Sequence, residues 1–186
     1  MIGGELIVKK FFNFLLIICI IVLLVGCGAE KNTNNQNKKI DYLNNPKSKD
    51  VAKAIESIDG ISNVCIVTED NDPNGQLGKQ GGYTGALYYV YDKAPTMETT
   101  LDKDTFEERP YKDTCEKGTD AGGSIEIYKT IKEAKTREKY LATFDSTGAL
   151  ASGSHTVKGT LVIRTSNKLK ASEQKDLEEK IVKKLS

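Results

Sequence analysis

Few residues in this chain carry distinctive chemistry. One histidine and four cysteines stand among its 186 residues, too few for a transition-metal cluster built on those ligands. His155 follows Ser152 and Ser154, and Asp145 lies ten residues before it. A Ser–His–Asp relay needs an exposed nucleophile on a strained turn. No Gly-x-Ser-x-Gly is present, so the expectation is a solvated loop histidine. Asp70, Asp72 and Asn74, followed by Gly75, have the oxygen spacing that opens a helix-flanked calcium loop. Gly81 stands where the closing bidentate Glu is required, and Pro73 stiffens the turn. A pair of Asx-type turns is therefore expected, with a weak Ca²⁺ site as the alternative. The run Gly118-Thr119-Asp120-Ala121-Gly122-Gly123 offers successive amides for an anion-binding nest, with a tight turn or bulge as the competing reading. Cys65 and Cys115 form either a disulfide or two buried thiols, and the absence of a Cys-x-x-Cys speaks against redox catalysis.

Tyrosine is dense between residues 83 and 91. Tyr83, Tyr89 and Tyr91 fall on one face of a strand, and Tyr88 points the other way. A rigid ring with a polar tip suits an interface, and tyrosine equally favours strands, so both readings stand. Candidate ligand-binding residues are thus Asp70, Asp72, Asn74, Tyr83, Tyr89, Tyr91, Asp120, Gly122 and Gly123. If the strands near 83–91 and 124–128 run parallel, Asp72, Tyr83 and Asp120 line one pocket. If they run antiparallel, the two glycine-rich loops sit at opposite ends and that shared site vanishes.

The elements that position these residues follow from periodicity. Val51, Ala54, Ile55 and Ile58 repeat at helical spacing behind Ser48. Residues 61–68 and 83–91 read as strands, as do 124–128 and 157–164. Thr130 and Glu133 make a capping box for a helix to about Leu141. A last amphipathic helix carries Leu177, Ile181 and Leu185 on one face. The expected fold is α+β: a mixed, mostly antiparallel sheet of about four strands, with helices on one face. Strand 124–128, helix 130–141 and strand 157–164 have the order of a βαβ crossover. No internal repeat is present.

The N-terminus sets the location. Lys9-Lys10 precede Phe11–Val25, an apolar run interrupted by Asn13 and shorter than the roughly 20 residues of a membrane span. It closes in Leu24-Val25-Gly26-Cys27, which resembles the lipobox of bacterial lipoproteins. The resemblance implies cleavage before Cys27 and a diacylglycerol on its sulfur. Residues 1–26 are then a signal peptide, 27–46 the lipidated Cys with a polar, Asn-rich tether, and 47–186 a single globular domain. Outside the cytoplasm thiols tend to pair, which favours a Cys65–Cys115 bridge. Without residues 1–26 the chain is electrically neutral, which argues against a nucleic-acid binder and against a polybasic membrane-surface protein.

Two further segments support the same placement. Asp72-Pro73-Asn74 with Leu77-Gly78 and Gly81-Gly82-Tyr83-Thr84 is one; Gly118-Thr119-Asp120-Ala121-Gly122-Gly123-Ser124-Ile125-Glu126 is the other. Together they resemble a family of small, uncharacterised lipoproteins of low-GC Gram-positive bacteria. The resemblance implies a lipid-anchored domain on the outer face of the cell membrane and brings no catalytic residue or cofactor with it. The leading expectation is a non-enzymatic binding module, its partners the membrane through Cys27 and an envelope protein or wall component. A small envelope hydrolase and a weak Ca²⁺- or solute-binding accessory protein are the alternatives.

Overall fold

The computed structural model describes residues 40–145 and 153–186. The readings for the signal segment, for Cys27 and for the tether up to residue 39 lie outside the described residues.

Apolar spacing places Val51, Ala52 and Ile55 on the buried side of α1 (Ser48–Ile55). The β-branched run that follows forms β1 (Ile61–Ile66), and the tyrosine-rich run forms β2 (Gly85–Tyr91). A hairpin comes next, β3 (Thr99–Leu101) with β4 (Glu108–Pro110), in a small sheet of its own. The short α2 (Thr114–Lys117) starts where the Asp113 side chain accepts the Glu116 N–H, and a 3₁₀ turn (Gly118–Ala121) leads into β5 (Gly122–Ile127). The capping box at Thr130 and Glu133 is present on α3 (Ile131–Ala142), with reciprocal bonds of 3.2 and 2.9 Å. Such a cap contributes about 1 kcal/mol. Then come β6 (His155–Lys158), β7 (Leu161–Thr165) and α4 (Ala171–Lys184).

The main sheet has the order β1-β2-β5-β7-β6, and every neighbouring pair is antiparallel. It is α+β and antiparallel as expected, but it holds five strands. The extra one arises at Gly159. Its φ of +60° turns the chain back, so residues 155–165 make a hairpin rather than one strand. The anticipated crossover changes accordingly: β5 and β7 are antiparallel neighbours, and the chain passes through α3 to the edge strand β6 before returning as β7.

Helices also cover both faces rather than one. Leu87, Tyr89, Tyr91, Ile125, Ile127, Leu161 and Ile163 pack with Val51 and Ile55 of α1 and Leu177 and Ile181 of α4. Fully burying a side chain such as Leu177 or Ile181 contributes about 1.5–3 kcal/mol. On the other face, Ala86, Tyr88 and Val162 pack with Cys115 and with Ala134 and Leu141 of α3. All six residues of β5 are consequently buried, polar ones included.

Packing begins before residue 47. Ile40 and Tyr42 lie against the core, and the Tyr42 carbonyl accepts the Thr160 N–H and hydroxyl, each at 2.8 Å. Ile40 and Tyr42, expected as tether, are therefore part of the packed domain. In β1 the register slips between Ser62 and Cys65, with Asn63 at φ +47°, a bulge on an edge strand. Among the described residues no helix is long and apolar enough to cross a membrane.

Candidate functional site

Alternation along Ser124-Ile125-Glu126-Ile127 sends Glu126 to the face covered by α3, where it is 1% exposed. Burial of a carboxylate demands partners. Arg137 of α3 supplies a two-pronged pair, Nε to Oε2 at 2.8 Å and Nη2 to Oε1 at 2.9 Å. The Tyr128 hydroxyl donates at 2.8 Å, and Arg164 Nη1 of β7 approaches at 3.4 Å. Burial alone would raise the Glu126 pKa; Arg137, Arg164 and Tyr128 outweigh it and hold the carboxyl below its usual value. Burial and this same carboxylate push Tyr128 up, and they push Tyr88 to about 12. At neutral pH the cluster is a fixed anion among protonated phenols and guanidiniums. It has no proton to exchange, so it holds α3 to the sheet and is not an acid–base centre.

The acidic loop closes on itself. Asp72 Oδ1 accepts the Asn74 N–H at 3.0 Å and the Tyr83 hydroxyl, and Oδ2 accepts the Leu77 N–H at 2.8 Å. Burial opposes the charge on Asp72, but the Tyr83 hydroxyl and these backbone donors prevail and lower its pKa. The Asn74 amide donates to the Tyr88 hydroxyl at 2.8 Å, while Asp70 is exposed. One Asx turn is thus present, at Asp72. The Asp72 oxygens are directed at the Tyr83 hydroxyl and at backbone N–H groups, and the Asn74 amide nitrogen at Tyr88.

Asp120 and Asp72 do not meet. Gly85 pairs with Ile127 and Val90 with Gly122, so the two loops lie at opposite ends of antiparallel strands. The anion nest is not formed either. The Gly122 N–H donates to the Thr119 carbonyl, and Gly123 lies under the Tyr89 ring, where a Cβ would collide with its hydroxyl and with the Arg164 carbonyl. These glycines permit close packing. Tyr83 shares a face with Tyr88 and not with Tyr89 and Tyr91, and none of the four is more than 3% exposed. They are core residues, so the exposed aromatic face allowed by the spacing is absent there.

His155 departs from expectation in the other direction. Its side chain is 6% exposed, not solvated, and Nε2 lies 3.1 Å from Asp145 Oδ1. Glu138 Oε1 stands 3.7 Å from Nδ1, and Arg164 is the cross-strand neighbour. A His–Asp pair therefore exists, but Asp145 is on Nε2, the ring nitrogen that a Ser–His–Asp relay turns toward its serine. The Ser154 hydroxyl, however, donates to Glu178 on the α4 side, and Ser152 lies outside the described residues. Cys65 and Cys115 are bridged, joining β1 to α2 with a Cα separation of 5.5 Å. Asp113 stands with the two sulfurs as a group of metal-ligating type, but the sulfurs are bonded to each other.

Sequence reasoning missed Glu126, Arg137, Arg164 and Tyr128 as a unit. The available signal was a Glu inside a β-branched run, which implies a charged partner once both faces of the sheet are covered.

No family model matches the chain, and comparison with the curated proteins and with the solved structures finds no match.

Proposed function

We propose that this is a lipid-anchored protein of the outer face of the cell membrane that acts by binding rather than by catalysis. Leu24-Val25-Gly26-Cys27 behind the apolar run Phe11–Val25 carries the reading. Two acyl chains on Cys27, at about 0.8 kcal/mol per buried methylene, hold firmly where one is marginal. The Cys65–Cys115 bridge supports an oxidising compartment. Glu126 and Asp72 have their oxygens committed to internal partners, which speaks against either as an acid–base group. The segments around Asp72–Thr84 and Gly118–Glu126, which resemble a family of small Gram-positive lipoproteins, are consistent with this reading. A small envelope hydrolase has the His155–Asp145 pair in its favour, but the hydroxyl of the adjacent Ser154 is committed to Glu178.

The test is Cys27→Ser in cells fed radiolabelled palmitate. Label should be lost, the signal segment retained, and the mass of the cut form absent. Membrane-bound product at the cut mass despite the substitution would refute the anchor.

A further inference from the structure

Phe106 combines two unfavourable features. It is 76% exposed, and its φ of +59° places a bulky side chain in the left-handed region. Leu101, on the same β3–β4 hairpin, is 58% exposed; these two exceed every other large apolar residue described. Residues held in rare backbone conformations concentrate at functional sites.

The tip is rigid. Asp102 N donates to the Glu107 carbonyl at 2.8 Å and Phe106 N to the Asp102 carbonyl at 3.0 Å. Asp102 Oδ1 accepts the Asp104 and Thr105 N–H groups, and its Oδ2 accepts Arg109 Nε at 3.2 Å. Arg109 also forks onto Glu116, tying the hairpin to α2. The aromatic ring is therefore presented on a preorganised support, which reduces the entropy lost on docking.

We infer that the 99–110 hairpin is a docking element whose occupant is a protein surface with an apolar pocket rimmed by Lys and Arg. Charge selects that occupant. Exposed Asp104, Glu107 and Glu108 flank Phe106, with Lys103 the exposed basic residue among them. An anionic lipid leaflet repels such a tip, and insertion would carry carboxylates toward the headgroups. Two copies meeting tip to tip would oppose like charges. A cationic rim attracts the acids, and a pocket takes the ring, as aromatic anchors do at interface centres. The inference rests on the reading of the protein as a binding module and names its partner class.

The experiment places a photoreactive benzoylphenylalanine at position 106 of the full-length protein in intact cells. Irradiation should give one discrete protein adduct, joined through a segment rich in Lys or Arg. Its yield should fall by about tenfold in the triple variant Asp104→Lys, Glu107→Lys, Glu108→Lys. The same photoprobe at Tyr140, 55% exposed on α3, should not give that adduct. An unchanged Cys65–Cys115 bridge and urea midpoint in the triple variant verify folding. No adduct, a lipid adduct, a homodimer, or an adduct indifferent to charge reversal overturns the inference. Membrane fractionation of the same cells reports the anchor separately: an adduct formed by unanchored protein would sustain the docking element and remove the anchor.

Discussion

Glu126→Gln isolates the charge at the centre of the α3–sheet contact. The substitution preserves shape and leaves Tyr128 an acceptor, but Arg137 and Arg164 then face a neutral group. Stranding a buried charge costs roughly 3–5 kcal/mol. The two arginine side chains are 25% and 14% exposed, so water relieves part of the penalty and about 3 kcal/mol is expected. For a domain of this size that corresponds to roughly 10 °C in Tm. Urea unfolding followed by circular dichroism, with the disulfide intact, measures it. The pH dependence fixes the cause. The folded-state pKa of Glu126 is lowered, so below about pH 4 the unfolded chain binds the extra proton. The contribution is complete above the unfolded pKa and is lost as pH falls through the folded one. The gap between wild type and Glu126→Gln must therefore narrow toward acid. A deficit below about 1 kcal/mol at pH 7, or a gap that does not narrow down to pH 3, would refute electrostatic anchoring of α3.

Two further outcomes are expected. Replacing Cys65 and Cys115 together by Ser frees a loop of sequence separation 50 and should lower stability by about 4 kcal/mol in urea; a loss under about 1 kcal/mol would deny the bridge a stabilising role. Phe106→Asn places a residue tolerant of positive φ at the hairpin tip and should raise stability by about 1 kcal/mol or less, read as a higher urea midpoint. A lower midpoint would mean that the ring stabilises the isolated domain.

Sequence made local structure visible wherever one short stretch carried its own cause. Thr130 and Glu133 announced α3, and the density of β-branched and aromatic residues announced β2. For Cys65 and Cys115 the compartment favours a bridge over two buried thiols, and the bridge is present. What escaped notice depended on partners far along the chain. Gly159 looked like one small residue in a strand, and only the pairing of Leu161 with Lys158 makes it a reversal. Glu126 lies on the face covered by α3, so it needs Arg137 eleven residues later and Arg164 thirty-eight later, which spacing within the strand does not reveal. The Asp72 loop kept its oxygen spacing, but the destination of those oxygens was set by where Tyr83 and Leu77 returned. His155 reads as a solvated loop residue from its neighbours in the chain, whereas its cover comes from Glu138 of α3 and from Asp145 just beyond that helix.

The bulge at Asn63 has a bearing on crowding. A regular outer strand presents a free row of amides and carbonyls to any neighbouring molecule. In β1 the slip between Ser62 and Cys65 disrupts that row, and the cystine stitches the strand to α2 so that it resists being peeled away for exchange. At the other margin β6 has only four residues to offer. Neighbouring copies would therefore find little purchase for zipping edge to edge into ribbons.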